Sequence, residues 1–345
     1  MTASDFIVKL LRLIKTLRNP PLFIYRLFHY LNLFIPKAWA YCIYNQNKKD
    51  YLREGVMDYL IDTYDGSGQS VHPDIIYWNN KYWLVTTPYP YGMEEYENPC
   101  VYFGDSLFSL TVPNKPLRTQ SVHSQGIHLS DPCLAVNGNQ LWCYYRESKR
   151  KGNLEENIIW RLLYSEINKT WTKEEIVLKS FNDKILSPAV QFNSFGELEM
   201  YYISTLNGNH TLVSTRFNHN ADDVIQHQVF GVPEEYELWH IGISKSIDIY
   251  TSRNNENGLM GLFLMRSKSQ HGKMKLYETK NDGIETDWHI VQEVQIPDEV
   301  VNILAFPYKS CFIPKGNGKI LLSFRDKLSR NRMIIINNNK FISND

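Results

Sequence analysis

The sequence predicts an all-β fold, a five-bladed β-propeller preceded by an N-terminal α-helical extension, and three features of the chain support this class. A strand–turn–strand phrase recurs at intervals of roughly 50–70 residues, the length that a propeller blade requires. Beyond residue 60 the helical period of apolar residues gives way to short strands bounded by turn residues. Aromatic residues, which favour strands, make up 13% of the chain. We therefore expect a basic amphipathic helical extension over residues 1–60 and the propeller over residues 61–345.

Composition narrows the functional class. The 345 residues carry 37 basic and 37 acidic side chains, so the net charge of zero gives no reason to expect a nucleic-acid partner. The five cysteines are scattered without a Cys-x-x-Cys pair, which argues against a disulfide framework and a zinc site. His123 and His128 lack a third partner, so no metal or other cofactor is predicted. An odd number of cysteines fits a reducing compartment, so we expect a cytoplasmic protein.

The first 50 residues differ in kind from the rest. Eight lysines and arginines stand among apolar residues that recur every three to four positions, and Asp5 and Asp50 are the only acids. This pattern predicts two amphipathic helices separated by Asn19-Pro20-Pro21. Charges interrupt every apolar run, so neither a membrane span nor a secretory signal is predicted. The helices could lie on the inner face of the cell membrane, or they could pack on the propeller or on a partner chain.

The first copy of the repeated phrase begins at Gln69. Two runs of aromatic and branched residues flank Asn79-Asn80, a pair that tolerates the positive φ of a tight hairpin turn. Asp74 enters the first strand among apolar neighbours, where a lone carboxylate needs a partner or a purpose. A capping or turn role would also explain such a residue. The copy closes with Glu97-Asn98-Pro99.

Four further copies follow the first. They begin near Ser130-Asp131-Pro132, Leu186-Ser187-Pro188, Leu238-Trp239-His240 and Phe306-Pro307-Tyr308. Because the innermost strand of every blade starts at one end of the central channel, we expect the leading residues of the five copies to converge there. These leading residues are Asp74, Asp131, Ser187, His240 and Tyr308.

This convergence predicts a carbohydrate site. Two carboxylates across a narrow funnel, Asp74 and Asp131, are the minimum for glycoside chemistry, and their like charges would separate their pKa values. Aromatic side chains at the rim would stack on sugar rings. Arg146 and Arg325 end inner hairpins at matching places and could hold a carboxylate or phosphate of the substrate. The other candidates for substrate binding are His72, Trp83, Tyr89, Ser187, Trp239, Tyr308 and Lys309.

The phrases His72-Pro73-Asp74 and Ser130-Asp131-Pro132, one repeat apart, resemble the five-bladed propeller glycosidases. That group includes the arabinanase and β-xylosidase families and the invertase and levansucrase families. A further resemblance, carried by Lys81-Tyr82-Trp83 and Glu97-Asn98-Pro99, is to uncharacterised glycosidase-like propellers associated with bacterial and phage surface polysaccharides.

The resemblance implies that Asp74 is the base or nucleophile and that Asp131 orients or stabilises. It also implies a general-acid glutamate in a later blade, but the third copy has Ser187-Pro188-Ala189 and no acid. Glu97 or Glu147 could supply the acid. His240 could shuttle a proton or donate a hydrogen bond to a sugar hydroxyl, or it could be a buried structural histidine.

Two hypotheses about function are favoured over a third, a scaffold that binds protein partners through the propeller faces, because the predicted ring of leading residues is polar. The first is a carbohydrate-active enzyme, hydrolytic or glycosyl-transferring, that acts on a cell-surface polysaccharide or on its membrane-linked precursor. Its partners would be a glycan or an activated sugar and, through residues 1–50, a membrane surface. The second is a non-catalytic glycan-binding propeller, which the missing acid at Ser187 favours.

Overall fold

The computed structural model confirms the all-β fold and the five blades. Five antiparallel β-sheets follow one another along the chain, and each sheet is built from one continuous segment. The structure describes isolated positions within the first 57 residues and, beyond them, residues 58–111, 115–118, 127–151, 154–181, 183–208, 210–217, 224–250, 258–270, 273–282 and 288–337.

The strands of the first three blades run from the centre of the molecule outward. Blade 1 contains β1 (Ser70–Trp78), β2 (Lys81–Pro88) and β3 (Cys100–Gly104). Blade 2 contains β4 (Ile127–Asn137), β5 (Gln140–Lys151) and β6 (Leu154–Ser165), and both β7 (Thr170–Trp171) and β8 (Glu175–Phe181) pair with β6. Blade 3 contains β9 (Ile185–Phe192), β10 (Leu198–Ser204), β11 (Thr211–Phe217) and β12 (Val224–Phe230).

The last two blades complete the ring. Blade 4 contains β13 (Tyr236–Lys245), β14 (Leu259–Ser267), β15 (Met274–Asn281) and β16 (His289–Glu293). In blade 5 the inner strand is split into β17 (Leu304–Pro307) and β18 (Cys311–Phe312), which both pair with β19 (Lys319–Asp326), and β20 (Asn331–Asn337) lies outside β19. Two single-turn helices, α1 (Ser246–Ile249) and α2 (Asp298–Val301), connect strands.

The predicted hairpin of blade 1 is confirmed. β1 pairs with β2 in antiparallel register, with Trp78 opposite Lys81, so Asn79 and Asn80 form a two-residue turn. Both asparagines have positive φ, 47° and 57°, as the twist of the flanking strands requires.

Apolar side chains fill the space between each pair of neighbouring blades. Between blades 4 and 5, Leu262 and Leu264 of β14 pack with Ile320 and Phe324 of β19, and all four are at most 1% exposed. Similar clusters lie between the other neighbouring blades. Because full burial of each such side chain contributes about 1.5–3 kcal/mol, the blades are stable only against one another.

A segment from the start of the propeller closes the ring on blade 5. Asp58 forms a β-bridge with Ile334 of β20, and the amide of Tyr59 donates to the carbonyl of Met333 at 2.8 Å. The buried Arg332 guanidinium donates to the Asp58 carboxylate at 2.9 Å. Residues 58–59 are therefore bridged to the outer strand of blade 5. The inner strands β1, β4, β9, β13 and β18 contact one another in a closed circle.

The basic extension predicted over residues 1–60 lies mostly outside the described residues. Most of its described positions before residue 58 are helical, namely Leu10, Leu13, Ile14, Phe23, Ile24, Leu27, Phe28, Cys42, Asn45, Lys48 and Lys49. Among the residues that the structure describes, no helix combines the length and the apolar character needed to cross a bilayer.

Candidate functional site

Each inner strand is interrupted by a bulge near one end. In β1 the ladder skips His72 and Pro73, in β4 it skips Asp131 and Pro132, and in β9 it skips Ser187 and Pro188. His72, Asp131 and Ser187 all have positive φ, at 55°, 52° and 50°, a region that non-glycine residues seldom adopt. Bulges re-aim side chains, and strained backbone of this kind concentrates at functional sites.

The positions of the bulges show that the predicted alignment of blade 1 with the other blades is wrong by two residues. The repeat in the sequence aligns Asp74 with Asp131, because each is the first acid of its copy. In the structure the position equivalent to Asp131 is His72, since both precede a proline and both leave the ladder with positive φ. The leading residues of the first two blades are therefore a histidine and an aspartate.

His72, Asp131 and His240 converge on one point. One nitrogen of each histidine and one carboxylate oxygen lie within 4.8 Å of one another, and all three residues are buried. His72 Nε2 is 3.6 Å and His240 Nδ1 is 3.5 Å from Asp131 Oδ1. The predicted convergence is confirmed for Asp131 and His240 and extended to His72.

These separations match the geometry of a metal centre. Two ligands of one tetrahedral metal, each at about 2.0–2.1 Å, lie roughly 3.3–3.4 Å apart. Asp131 Oδ1 and His240 Nδ1 are buried without a hydrogen-bond partner among the described residues. Buried polar atoms are normally satisfied, so atoms that face one another at this distance fit a shared cation. Two imidazoles and one carboxylate are the donor set of several catalytic divalent metals.

The protonation states of these groups suit cation binding. Burial, partly opposed by Asp131 and reinforced by His240 and Lys309, lowers the pKa of His72 to about 3, so its imidazole is neutral near pH 7. Burial alone would raise the pKa of Asp131, but His72, Arg146 and His240 hold that pKa well below its usual range. A neutral imidazole and an ionised carboxylate are the forms that bind metals.

Arg146 orients the carboxylate. Its Nε lies 3.2 Å from Asp131 Oδ2, and Ser130 Oγ donates to the same oxygen at 3.2 Å. Arg146 also donates to Ser130 Oγ at 3.0 Å. Because both contacts engage Oδ2, Oδ1 remains directed at the two histidines. The Arg146 guanidinium is thus paired with Asp131. That Arg146 also holds an anion of the substrate stays a prediction.

Asp74 occupies a different place from the one the repeat alignment assigned. Its Oδ2 accepts a hydrogen bond from the backbone amide of Leu134 at 2.7 Å, which ties blade 1 to blade 2. Burial raises its pKa, opposed by Lys309 and by the amide of Leu134. The carboxylate is thus held by backbone, and His72 takes the leading position.

Ser187 and Lys309 also make contacts between blades. Ser187 Oγ donates to the carbonyl of Ile241 and accepts from its amide, both at 3.0 Å. Lys309 is 1% exposed, and its Nζ donates to the carbonyls of Pro132 at 2.8 Å and Pro188 at 3.3 Å. Both were predicted to bind substrate, but their described hydrogen bonds are to backbone: those of Ser187 to Ile241 of β13, and those of Lys309 to the bulge residues Pro132 and Pro188.

Tyr308 and Tyr89 form an aromatic wall beside the two histidines. The Tyr308 ring makes edge contacts with His72 at 5.6 Å and with His240 at 6.1 Å between centroids. Tyr89 lies 6.2 Å from Tyr308, and the Arg325 guanidinium lies against both rings. Burial and, after it, Glu97 raise the pKa of Tyr308 while Arg325 lowers it, so the phenol stays protonated near pH 7.

The two tryptophans predicted to stack on sugars differ in position. Trp83 is 4% exposed in the core between blades 1 and 2, where it stacks on Phe103 at 4.9 Å, so the structure does not bring it to the site. Trp239 lies beside His240, but Arg266 sits 4.0 Å over its ring and His210 stacks parallel to it at 5.9 Å. Trp239 is at the site with its ring engaged by protein side chains.

The two candidate acids also differ. Glu97 is buried near Tyr308 and Tyr89, and its carboxylate is 3.9 Å from His128. Glu147 is held by Arg118 and accepts from Trp160 Nε1 at 2.8 Å, away from the histidines. Glu97 therefore remains the candidate for proton transfer.

The histidine–aspartate cluster was not predicted from the sequence, although a signal was present. The dipeptides His72-Pro73, Asp131-Pro132 and Ser187-Pro188 recur one blade apart. Aligning the copies on proline would have matched His72 with Asp131. The aligned feature was the first acid, which lies two residues further along the strand in blade 1.

Comparison with known proteins gives matches in fold only. No family model matches the sequence, and no curated protein matches it. A solved N-acetylgalactosamine deacetylase from F. plautii, in complex with blood group B trisaccharide, aligns with a TM-score of 0.57 at 14% identity, over 81% of this chain and 92% of that chain.

Two arabinanases align similarly. A GH43 endo-arabinanase from Bacillus licheniformis has a TM-score of 0.55 at 13% identity, over 78% of this chain and 93% of that chain. A mutant α-L-arabinanase from Cellvibrio cellulosa has a TM-score of 0.53 at 10% identity, over 78% and 91%. The resemblance to five-bladed arabinanase-type propellers is confirmed, at the level of the fold.

Proposed function

We propose that the protein is a metal-dependent hydrolase that removes an acyl substituent, such as an acetyl group, from a glycan. The observation that carries the proposal is the convergence of His72, Asp131 and His240 at cation-binding distances. When bound there, a divalent cation would supply a Lewis acid and an activated water for attack on a carbonyl.

Acyl hydrolysis accounts for this site better than cleavage of a glycosidic bond. Glycoside hydrolysis uses two carboxylates that flank the scissile bond. Here Asp131 is the carboxylate at the convergence, Asp74 is bonded to the amide of Leu134, and Ser187 is bonded to Ile241. Hydrolysis of an amide or ester with an activated water requires no second carboxylate facing Asp131. Both an N-acetylgalactosamine deacetylase and arabinanases share this fold, which also favours hydrolysis over glycosyl transfer.

The chain's own residues have separable roles. Arg146 and Ser130 hold Asp131 so that Oδ1 faces the two histidines. Tyr308, protonated and in contact with both imidazoles, is placed to donate a hydrogen bond to the oxyanion that forms on the substrate carbonyl. Glu97, buried in the same wall, is the candidate to deliver a proton to the leaving group.

The glycan that we propose is a cell-surface polysaccharide or its membrane-linked precursor. Support comes from the resemblance of blade 1 to propellers of surface-polysaccharide systems and from the basic N-terminal residues, which would meet an anionic membrane face. Flotation with anionic liposomes, full chain against a chain that begins at residue 51, tests the membrane contact. Equal flotation of the two chains would contradict it.

The experiment that tests the function measures acetate release. The purified full chain is stripped with EDTA, reloaded with zinc, manganese or cobalt, and assayed on N- and O-acetylated oligosaccharides. We expect acetate release that depends on metal, with bound metal near one equivalent by elemental analysis. The variant His240→Gln should lose acetate release and bound metal. His289 is exposed, so His289→Gln is the matched control that should keep acetate release and bound metal.

Other outcomes would identify other functions. Shortened oligosaccharides with their acetyl groups intact, insensitive to EDTA, would indicate a glycosidase. Binding on a glycan array without any product would indicate the non-catalytic alternative.

A further inference from the structure

Arg325 differs from every other arginine whose side chain the structure describes. Within the described part of the chain, Arg325 has no ion pair with a carboxylate, whereas each of the others does. The paired arginines are Arg118, Arg146, Arg161, Arg216, Arg266, Arg330 and Arg332. An unpaired guanidinium inside a propeller therefore needs an explanation.

The guanidinium is held in place from several sides. It lies over the rings of Phe306 at 5.2 Å, Tyr89 at 5.5 Å and Tyr308 at 5.8 Å. Its Nε donates to Asn331 Oδ1 at 3.5 Å. Gly92, with a positive φ of 73°, allows the backbone to approach so closely that a β-carbon there would overlap Nη2. The position is thus set by protein contacts before any ligand arrives.

The hydrogen-bonding capacity of the guanidinium is nonetheless unmet. Nη2 is buried without a hydrogen-bond partner among the described residues. The rest of the guanidinium makes a long hydrogen bond to Asn331 Oδ1, at 3.5 Å, and one to the Tyr308 hydroxyl, and neither acceptor is charged. Aromatic faces attract the charge, but they do not replace acceptors for the N–H groups. The two terminal nitrogens of an arginine match the two oxygens of a carboxylate or phosphate.

The guanidinium also lies next to the proposed catalytic centre. Tyr308 contacts Arg325 on one side and both histidines of the cluster on the other, so one aromatic ring separates the two sites. Glu97 and Glu94 lie near Tyr89 and Tyr308. The His128 ring is 3.9 Å from the Glu97 carboxylate and 3.8 Å from the Glu94 carboxylate.

We infer that Arg325 is a receptor for an oxyanion on the glycan, so that the substrate is an acidic saccharide. This inference rests on the proposed function for the identity of the neighbouring chemistry. The oxyanion is the carboxylate of a uronic acid or the phosphate of a phosphorylated sugar, carried by the unit next to the acylated one. The acyl group would then face His72, Asp131 and His240 while the charged group pairs with Arg325.

The test compares substrates that differ only in charge. One pair is a hyaluronan tetrasaccharide, which alternates N-acetylglucosamine with glucuronate, and its carboxyl-reduced neutral form. A second pair is an N-acetylated disaccharide with and without a phosphate. Binding to the full chain is measured by calorimetry, and acetate release is measured in parallel. The wild-type protein should prefer the charged member of at least one pair by about 10- to 100-fold.

Two variants assign the preference to Arg325. Arg325→Gln should remove the preference for the charged member by weakening the binding of that member alone. Gly92→Ala should reduce the same preference by displacing an intact guanidinium. Arg161→Gln, which alters an exposed ion pair with Glu175, is the matched control and should keep the preference. Circular dichroism and urea unfolding establish that each variant is folded.

The outcomes separate this inference from the proposed function. Equal binding of charged and neutral members by the wild-type protein, failure to bind either charged probe, or equal loss of both members in Arg325→Gln would overturn the role of Arg325. Charge-dependent binding without acetate release, unaffected by EDTA, would support that role and contradict the proposed function instead. The two pairs distinguish a carboxylate from a phosphate.

Discussion

The seam where residues 58–59 meet β20 of blade 5 and the His72–Asp131–His240 cluster both bury charged groups, but the two differ in how those charges are matched. At the seam, the buried Arg332 of β20 donates to the Asp58 carboxylate at 2.9 Å, and its Nη1 lies 3.9 Å from Asp326 Oδ2. In the cluster, Asp131 Oδ1 and His240 Nδ1 face each other at 3.5 Å without a hydrogen bond. Paired buried charges hold a fold together, whereas unmet ones that converge indicate a ligand.

Asp131→Asn should separate activity from stability at the cluster. The amide can still accept from Ser130, but it is a poor metal ligand and leaves the Arg146 guanidinium without its carboxylate. Acetate release should therefore fall about 10³-fold or more, while the free energy of unfolding should fall by about 1–3 kcal/mol. Metal content and urea unfolding of the same preparation check this. Full activity in the variant would remove Asp131 from the site.

Arg332→Met, at the seam, should lower the stability of the fold without affecting metal binding. It leaves the carboxylate of Asp58 without its guanidinium partner, so we expect a loss of about 3–5 kcal/mol in the free energy of unfolding. Metal bound per folded molecule should be unchanged. A loss below about 1 kcal/mol would show that the seam does not depend on this pair.

Asp74→Asn distinguishes the sequence-based role of Asp74 from its structural one. The side-chain oxygen can still accept from the amide of Leu134, so we expect a folded variant with turnover within about threefold of wild type. A steady-state assay gives the answer. Abolished turnover would restore Asp74 as the catalytic base that the family resemblance implies.

Glu155→Gln should have the smallest effect and one that depends on pH. Burial raises the pKa of Glu155, but Ser148 and Lys184 outweigh it, so the pKa in the folded state is lowered. A carboxylate whose pKa is lower in the folded state stabilises the fold at pH values above its unfolded-state pKa. That stabilisation is lost as the pH falls through the folded-state pKa. The free energy of unfolding of the wild type should therefore exceed that of the variant by up to about 1 kcal/mol at pH 7. The difference should shrink as the pH falls below the pKa of an unfolded glutamate, about 4.3. A difference that grows toward low pH would contradict this assignment.

Local patterns were sufficient to predict the blades. A strand–turn–strand segment such as residues 70–88 predicts its hairpin without long-range information. Asn79 and Asn80 provide the turn, and the alternating apolar residues provide the buried face of each strand. The number of copies predicted five blades. That Asp131, His240 and Tyr308 would meet followed from the same geometry and is confirmed.

The membership of the site depended on features that sequence spacing does not carry. Asp74 and His72 are two residues apart, and only the position of the bulge in β1 decides which of them faces the centre. Trp83 was assigned to the rim as an aromatic residue of the first copy, but its strand directs it into the core between blades. Arg325 is distinguished from the other predicted binding residues by a contact pattern that only the structure gives: no described carboxylate pairs with its guanidinium, and its Nη2 is buried without a hydrogen-bond partner among the described residues.

By itself, then, the sequence determined the all-β class, the repeat and its count, because these depend on residues close together in the chain. The tertiary structure decided which histidines accompany Asp131, which charges remain unpaired and where the ring closes. Those properties depend on atoms brought within a few ångströms from positions as far apart as 72 and 240, so no local pattern encodes them.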